Sequence, residues 1–222
     1  MCYPVYQHST SMGLGIQSMA TKWGRLLPLV FSMAWWGCSD NRHAERITGN
    51  LTSPAKAYPV ALRMQSELAP ATYLRSVVVM WDRDGQDFNI HKVSYHFASL
   101  GGAGLVLSMD NQKHLAYVET NTPSSGGGLD DSLPVDFSGK DVQEILQIAL
   151  NSGLGNFCAI VPPGKENIMF QLESNDKGTF WHILGVGTDP QGAVVQLRMD
   201  IDATSGDVRN RAQNQFTPHK GL

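Results

Sequence analysis

Between Lys22 and Asp40 the chain reads KWGRLLPLVFSMAWWGCSD, and no other stretch limits the possible fold as strongly. Two cations, Lys22 and Arg25, precede a mostly apolar run from Leu26 to Trp36, which ends at Gly37-Cys38. A basic start, an apolar middle and small residues near the end are the layout of a secretory signal. The run is too short to cross the bilayer as a helix, which takes ~20 apolar residues. It also makes a poor core helix, because Pro28 interrupts it and no polar face is available for solvent. Residues 19–37 are therefore expected to be removed on export, so the fold must be built from residue 38 onward. Met1 to Ser18 is polar and without hydrophobic period, and a signal ordinarily begins its chain. The expected start is thus Met19, with 1–18 an over-extended leader or a disordered one.

The end of the run resembles a bacterial lipoprotein signal, in which a small residue precedes a cysteine that becomes the lipidated first residue. Gly37 and Cys38 match that pattern, and Ser39 is compatible with outer-membrane sorting. Trp35 and Trp36 depart from it, standing where leucine and a small residue are usual. The resemblance implies lipid attachment at Cys38 and a periplasm-facing protein anchored at the envelope. Ser32-Met33-Ala34 leaves a second route open, since ordinary signal peptidase could cut before Trp35 and release a soluble secreted protein. Stable attachment follows from lipidation with more than one chain, because each buried methylene contributes ~0.8 kcal/mol.

Charge and cysteine usage narrow the classes further. Loss of residues 1–37 removes Lys22 and Arg25 and no acids, so the net charge moves from −3 to −5. That balance offers no basic footprint for nucleic acid. Cys2 and Cys38 fall in or beside the removed region, leaving Cys158 and excluding a disulfide framework. Cys158 sits in the apolar run Phe157–Val161, which reads as a strand holding a buried, inert thiol.

Along the remaining chain, residues 38–53 are polar and read as a tether. Ser53 and Pro54 then suit a helix start, with Val60, Leu62, Met64 and Leu68 on its apolar face, Pro59 at a bend and Pro70 at its end. Strands are expected at Ala71–Trp81, Asn89–Ser99, Leu105–Met109 and Leu115–Val118. Residues 121–136, rich in Gly, Ser, Pro and Asp, read as an interdomain linker. Beyond it Ser138 is the expected cap of a strongly amphipathic helix carrying Val142, Ile145, Leu146, Ala149 and Leu150, with Gly153 as its stop. Further strands come at Ile168–Glu173, Phe180–Val186 and Ala193–Ile201, then a turn at Ala203–Gly206. Tyr95-His96-Phe97 echoes Trp181-His182-Ile183, and Leu107–Asp110 echoes Leu197–Asp200. The expected architecture is α+β: two small related units, 54–120 and 137–213, each one helix on an antiparallel sheet, with a tail at 214–222.

The last stretch, Phe180–Ile183, then Val194–Asp202 and Asp202-Ala203-Thr204-Ser205-Gly206-Asp207-Val208, resembles the closing hairpin of PepSY-type domains. Those domains end in a strand leading into Asp-Ala-x-x-Gly-x-Val, and they occur in exported proteins and protease propeptides. The resemblance implies an extracytoplasmic binding module, including peptidase regulation, and a PepSY- or cystatin-like helix-on-sheet unit. In that motif Asp202 accepts backbone N–H bonds, Gly206 supplies a positive φ and Val208 returns to the core.

No catalytic motif is evident. Asp82, Asp84 and Asp87 lack the glycine and glutamate positions of a calcium loop, so a hairpin turn is the expectation. His91, His96, His114 and His182 show no metal-ligand spacing, and Ser124–Gly128 lacks the Lys-Ser/Thr of a phosphate loop. No cofactor or metal is implied. Trp181, His182, His96 and Tyr95 are the candidate residues for a ligand or partner. The leading functional expectation is a non-enzymatic, envelope-anchored module that binds a protein partner. A small-ligand site or enzyme in a cone between sheet and helix is the alternative, and a structural envelope component the third.

Overall fold

A computed structural model of the chain describes residues 44–47, 51–99, 104–120 and 133–216. The signal segment with Cys38, and most of the proposed linker, lie outside the described residues. Long runs of apolar/polar alternation dominate what is described, and a period of two makes strands with one buried face. The order is β1 (Glu45–Arg46), α1 (Pro54–Leu68), β2 (Tyr73–Asp84), β3 (Asp87–Ala98), β4 (Gly104–Asp110) and β5 (Leu115–Thr120). Next come α2 (Val142–Ala149), a π turn (Leu150–Leu154), α3 (Gly155–Ile160), β6 (Glu166–Asn175), β7 (Gly178–Thr188), β8 (Val194–Asp202) and β9 (Val208–Phe216).

All nine strands of the described residues form one antiparallel sheet in the order β1-β5-β4-β3-β2-β6-β7-β8-β9. This overturns the expectation of two separate helix-on-sheet units. The join is β2 with β6, paired from Ser76 opposite Glu173 to Trp81 opposite Ile168. Across it runs an aromatic chain, Trp81 edge-on to Phe170 at 5.5 Å and Phe170 to Trp181 at 6.5 Å. One core therefore serves both halves, holding Val77, Val79, Tyr95 and Leu107 together with Ile145, Phe157, Leu197 and Met199.

Local chemistry explains the helices better than the expected caps do. Ser53 is the N-cap of α1 with Pro54 following, but its hydroxyl donates to Asp141 Oδ1 at 2.9 Å and caps nothing. Asp141, and not Ser138, caps α2 in a reciprocal box with Glu144. On α1 the inward residues are Ala61, Met64 and Gln65, while Leu62 is 46% exposed. Gln65 closes the helix by donating to the Ala69 and Thr72 carbonyls.

Gly153 does not stop the second helix. With φ at +140 it kinks the π turn, and the chain resumes as α3, so the expected Phe157–Val161 strand is helical. Phe157 is fully buried, and Gly185 on β7 has no Cβ because the Phe157 ring would lie 3.2 Å from it. Arg83 on β2 fixes the end of α3, donating to the Cys158 and Val161 carbonyls and pairing with Glu166 at 2.9 Å. Burial raises the Cys158 thiol pKa.

Several boundaries shift. The tether is already docked at Glu45–Arg46, which pair with β5, and Leu51 N–H donates to Asn111. At the end of the proposed linker Leu133 bridges Ser174 and Val135 N–H donates to Leu74. In the closing turn Asp202 accepts from Thr204 and Ser205, and Gly206 has φ +84. Val208 stays 37% exposed instead of entering the core, because β9 is an edge strand beyond β8, where α2 and α3 pack.

Candidate functional site

Residues adjacent on a strand point to opposite faces, and this alone divides the four candidate residues. Tyr95 and Trp181 face the helices, whereas His96 and His182 face the side that carries no helix among the described residues, called the helix-free face below. Tyr95 is fully buried and its hydroxyl donates to the Pro54 carbonyl at 2.7 Å, tying α1 to β3. Burial, with Tyr58 nearby, pushes its phenol pKa far upward. Its role is therefore structural.

On the helix-free face the register places His182 opposite Asp200 on β8 and Gln171 on β6. Its Nδ1–H donates to Asp200 Oδ1 at 2.7 Å, and its Nε2 lies 3.9 Å from Glu173. Asn210 on β9 donates to the second Asp200 oxygen at 2.7 Å. Burial alone would raise the Asp200 pKa, but the hydrogen bonds from Asn210 and His182 outweigh it and hold the carboxyl low. Beside them Arg209 stacks 5.0 Å over Phe180 and bonds Asp202. His96 stands on the same face of β3. Burial lowers its pKa, partly offset by Glu119 and Glu173.

The two histidines are not equivalent. Leu107–Asp110 and Leu197–Asp200 both lie on the third strand after a helix, and the residue opposite Asp110 is Lys92, as His182 is opposite Asp200. His96 sits four residues further along than that equivalence requires.

Between these polar groups lies a feature that the sequence pattern did not announce. Met80 on β2, Met169 on β6 and Leu184 on β7 form one cross-strand row, with Val78 beside it. All four are half-buried on the side away from the helices. Arg198 and Lys92 close the two ends of that row, and Lys92 pairs with Glu119. A phase count would have exposed it, since apolar residues here occupy the positions that alternation assigns to polar ones.

The opposite side holds a cavity of about 170 Å³ between the starts of α1 and α2. Ser53 to Lys56 form one wall, Gly139 to Val142 another, with Phe137, Leu172 and Trp181 supplying apolar surface. Trp181 is 2% exposed and its Nε1–H has no acceptor among the described residues, as is true of the Trp81 Nε1–H. An unsatisfied buried donor costs ~1–3 kcal/mol. Among the described residues no helix is long and apolar enough to cross a membrane, and none form a cluster of three metal-ligating side chains.

No family model matches the chain, and no curated protein matches it. Among solved structures, a "putative lipoprotein" from Clostridium difficile 630 aligns over 71% of this chain and 92% of its own length. The identity is 14% and the TM-score 0.39.

Proposed function

We propose that this chain is an exported protein held at the cell envelope by a lipid on Cys38, and that its folded part binds a protein partner through the helix-free face of the sheet. The sorting half rests on the sequence from Lys22 to Ser39, read against the lipoprotein pattern. The observation that carries the binding half is the row Met80, Met169 and Leu184 with Val78, set among Glu173, His182, Asp200, Arg198 and Lys92. An apolar centre inside a polar rim is how protein interfaces are built. Methionine also adapts its shape to a partner at little cost. The His182 pair supports binding over acid–base chemistry, since Asp200 and Asn210 lock it on an open surface. The resemblance of the closing hairpin to PepSY-type domains makes an envelope peptidase the first partner to test.

Intact mass of the membrane-extracted protein tests the sorting half. The expected mass is that of a chain beginning at Cys38 plus its acyl groups; a chain beginning at Trp35, or one retaining Leu26–Trp36, contradicts it. For the binding half, Met169→Asp should abolish co-purification of the partner while leaving the fold intact. Unchanged recovery contradicts the assignment of this face.

A further inference from the structure

We infer that β9 pairs antiparallel with β9 of a second copy of this chain, around a two-fold axis at Gln213. This contact uses the sheet's edge and is independent of the helix-free face. An edge strand presents a row of unpaired N–H and C=O groups, and folded proteins blunt such edges with short strands, Lys, Pro or bulges. The two edges here differ. β1 is two residues long, whereas β9 runs nine residues, Val208–Phe216, with neither Lys nor Pro and every residue exposed. Its one irregularity is at Arg209, where the register with β8 steps from Ile201 opposite Val208 to Asp200 opposite Asn210. Past that step Asn210–Phe216 pairs regularly with β8, and no strand among the described residues covers its outer side.

Charge points to a second copy as the occupant. Gln213 is the middle of the regular run, so a two-fold there sets each residue against a fixed residue of the other copy. Asn210 meets Phe216, Arg211 meets Gln215, Ala212 meets Asn214, and Gln213 meets itself. Arg211 is the one charged residue in this run, and it never faces its own copy. It faces Gln215, whose amide donates to Asp189 Oδ2 at 2.7 Å. Asp189 also accepts from the Gln191 and Ala193 N–H groups, yet no cation pairs with it among the described residues. Arg211 donates to the Ser152 carbonyl at 2.9 Å, and a guanidinium has further N–H donors to offer. Arg211 lies opposite Met199 and Gln215 opposite Val195, both buried, so the two share the helix side of the sheet. The two-fold therefore brings an arginine to a carboxylate without a cation, once for each copy. On the other side Phe216 and Val194, paired across β9 and β8 and both exposed, gain cover from the added strand.

Cysteine crosslinking of the full chain in intact cells reads the register. Residues opposite one another in an antiparallel pair have Cα atoms ~4.5–5.5 Å apart, within disulfide reach, whereas diagonal neighbours at ~7–8 Å are not. Under mild oxidation Gln213→Cys should give a covalent dimer in about tenfold higher yield than Ala212→Cys or Asn214→Cys alone, with the unsubstituted chain as background. Differently tagged chains carrying Ala212→Cys and Asn214→Cys should join to one another when co-expressed. Adding Arg211→Glu to Gln213→Cys should cut the yield about tenfold, because it sets a second carboxylate against Asp189. Light scattering of the purified protein should give the mass of two chains, and of one chain for Arg211→Glu with the far-UV circular dichroism unchanged. Equal yields at 212, 213 and 214, a single-chain mass for the unsubstituted protein, or Gln213→Cys adducts with a different protein in place of the dimer would overturn the proposal.

Discussion

Met169 and Phe170 are neighbours in sequence and lie on opposite faces of β6. Phe170 is fully buried between Trp81 and Trp181, under the helices. Met169 is half-buried, flanked by Met80 and Leu184, with no helix above it among the described residues. The two faces thus use similar apolar side chains for different ends. One seals a core that fuses both halves of the chain, and the other leaves an apolar patch with ordered charge around it. Stability should reside on the first and recognition on the second.

The sharpest break in that contrast comes from paired substitutions. Phe170→Ala should cost about 3–5 kcal/mol by urea denaturation, because it opens a cavity at the join of the halves. Met169→Ala should cost about 1 kcal/mol, as a half-exposed site loses less transfer energy and leaves no void. Equal losses would mean the two faces are equally structural.

Next in size is Arg83→Met. Arg83 and Glu166 side chains are 5% and 3% exposed, so the change strands a buried carboxylate and releases the end of α3. A loss of about 3 kcal/mol is expected, with part regained in Arg83→Met/Glu166→Leu. Failure of the double variant to recover anything would assign the cost to the lost helix contacts instead of the charge.

Asp141→Ala should cost about 1 kcal/mol through the lost cap of α2, and more than Ser138→Ala, measured by thermal melting. The smallest effect belongs to the recognition face. His96 has a depressed folded pKa, so the unfolded chain binds more protons below the usual value near 6.5. The sign is set by linkage: stability from this group is present above that value and falls as pH drops through the folded pKa. His96→Gln should flatten the stability-against-pH curve just below pH 6.5. Asp200, also depressed, acts only below its ordinary value of 3.8.

Most strand and turn positions, though not the architecture, were legible because alternation over β2, β3, β6, β7 and β8 is long, and because Gly85, Gly178 and Gly206 mark turns that need positive φ. The pairing of β2 with β6 was not legible. Nothing local in Val77–Trp81 or Ile168–Leu172 names a partner, so two sheets and one looked alike. Phe157–Val161 misled because five apolar residues fit a strand or a buried helix equally, and burial on Gly185 decided it. Ser138 was a sound cap by residue type, yet Asp141 won by reaching both its own helix and Ser53. The candidate residues were legible as unusual side chains, but pairing Trp181 with His182 ignored that neighbours on a strand face apart. The apolar row itself went unseen because Val78 and Met80 merged into a continuous hydrophobic run.

The most direct test of the account is site-specific photo-crosslinking in intact cells, with the photoreactive residue placed at Leu184 on the open face or at Leu62, exposed on α1. The account predicts a discrete protein adduct from position 184, lost when Met169→Asp is added, and none from position 62. Adducts from position 62 alone, or from 184 regardless of residue 169, would contradict it.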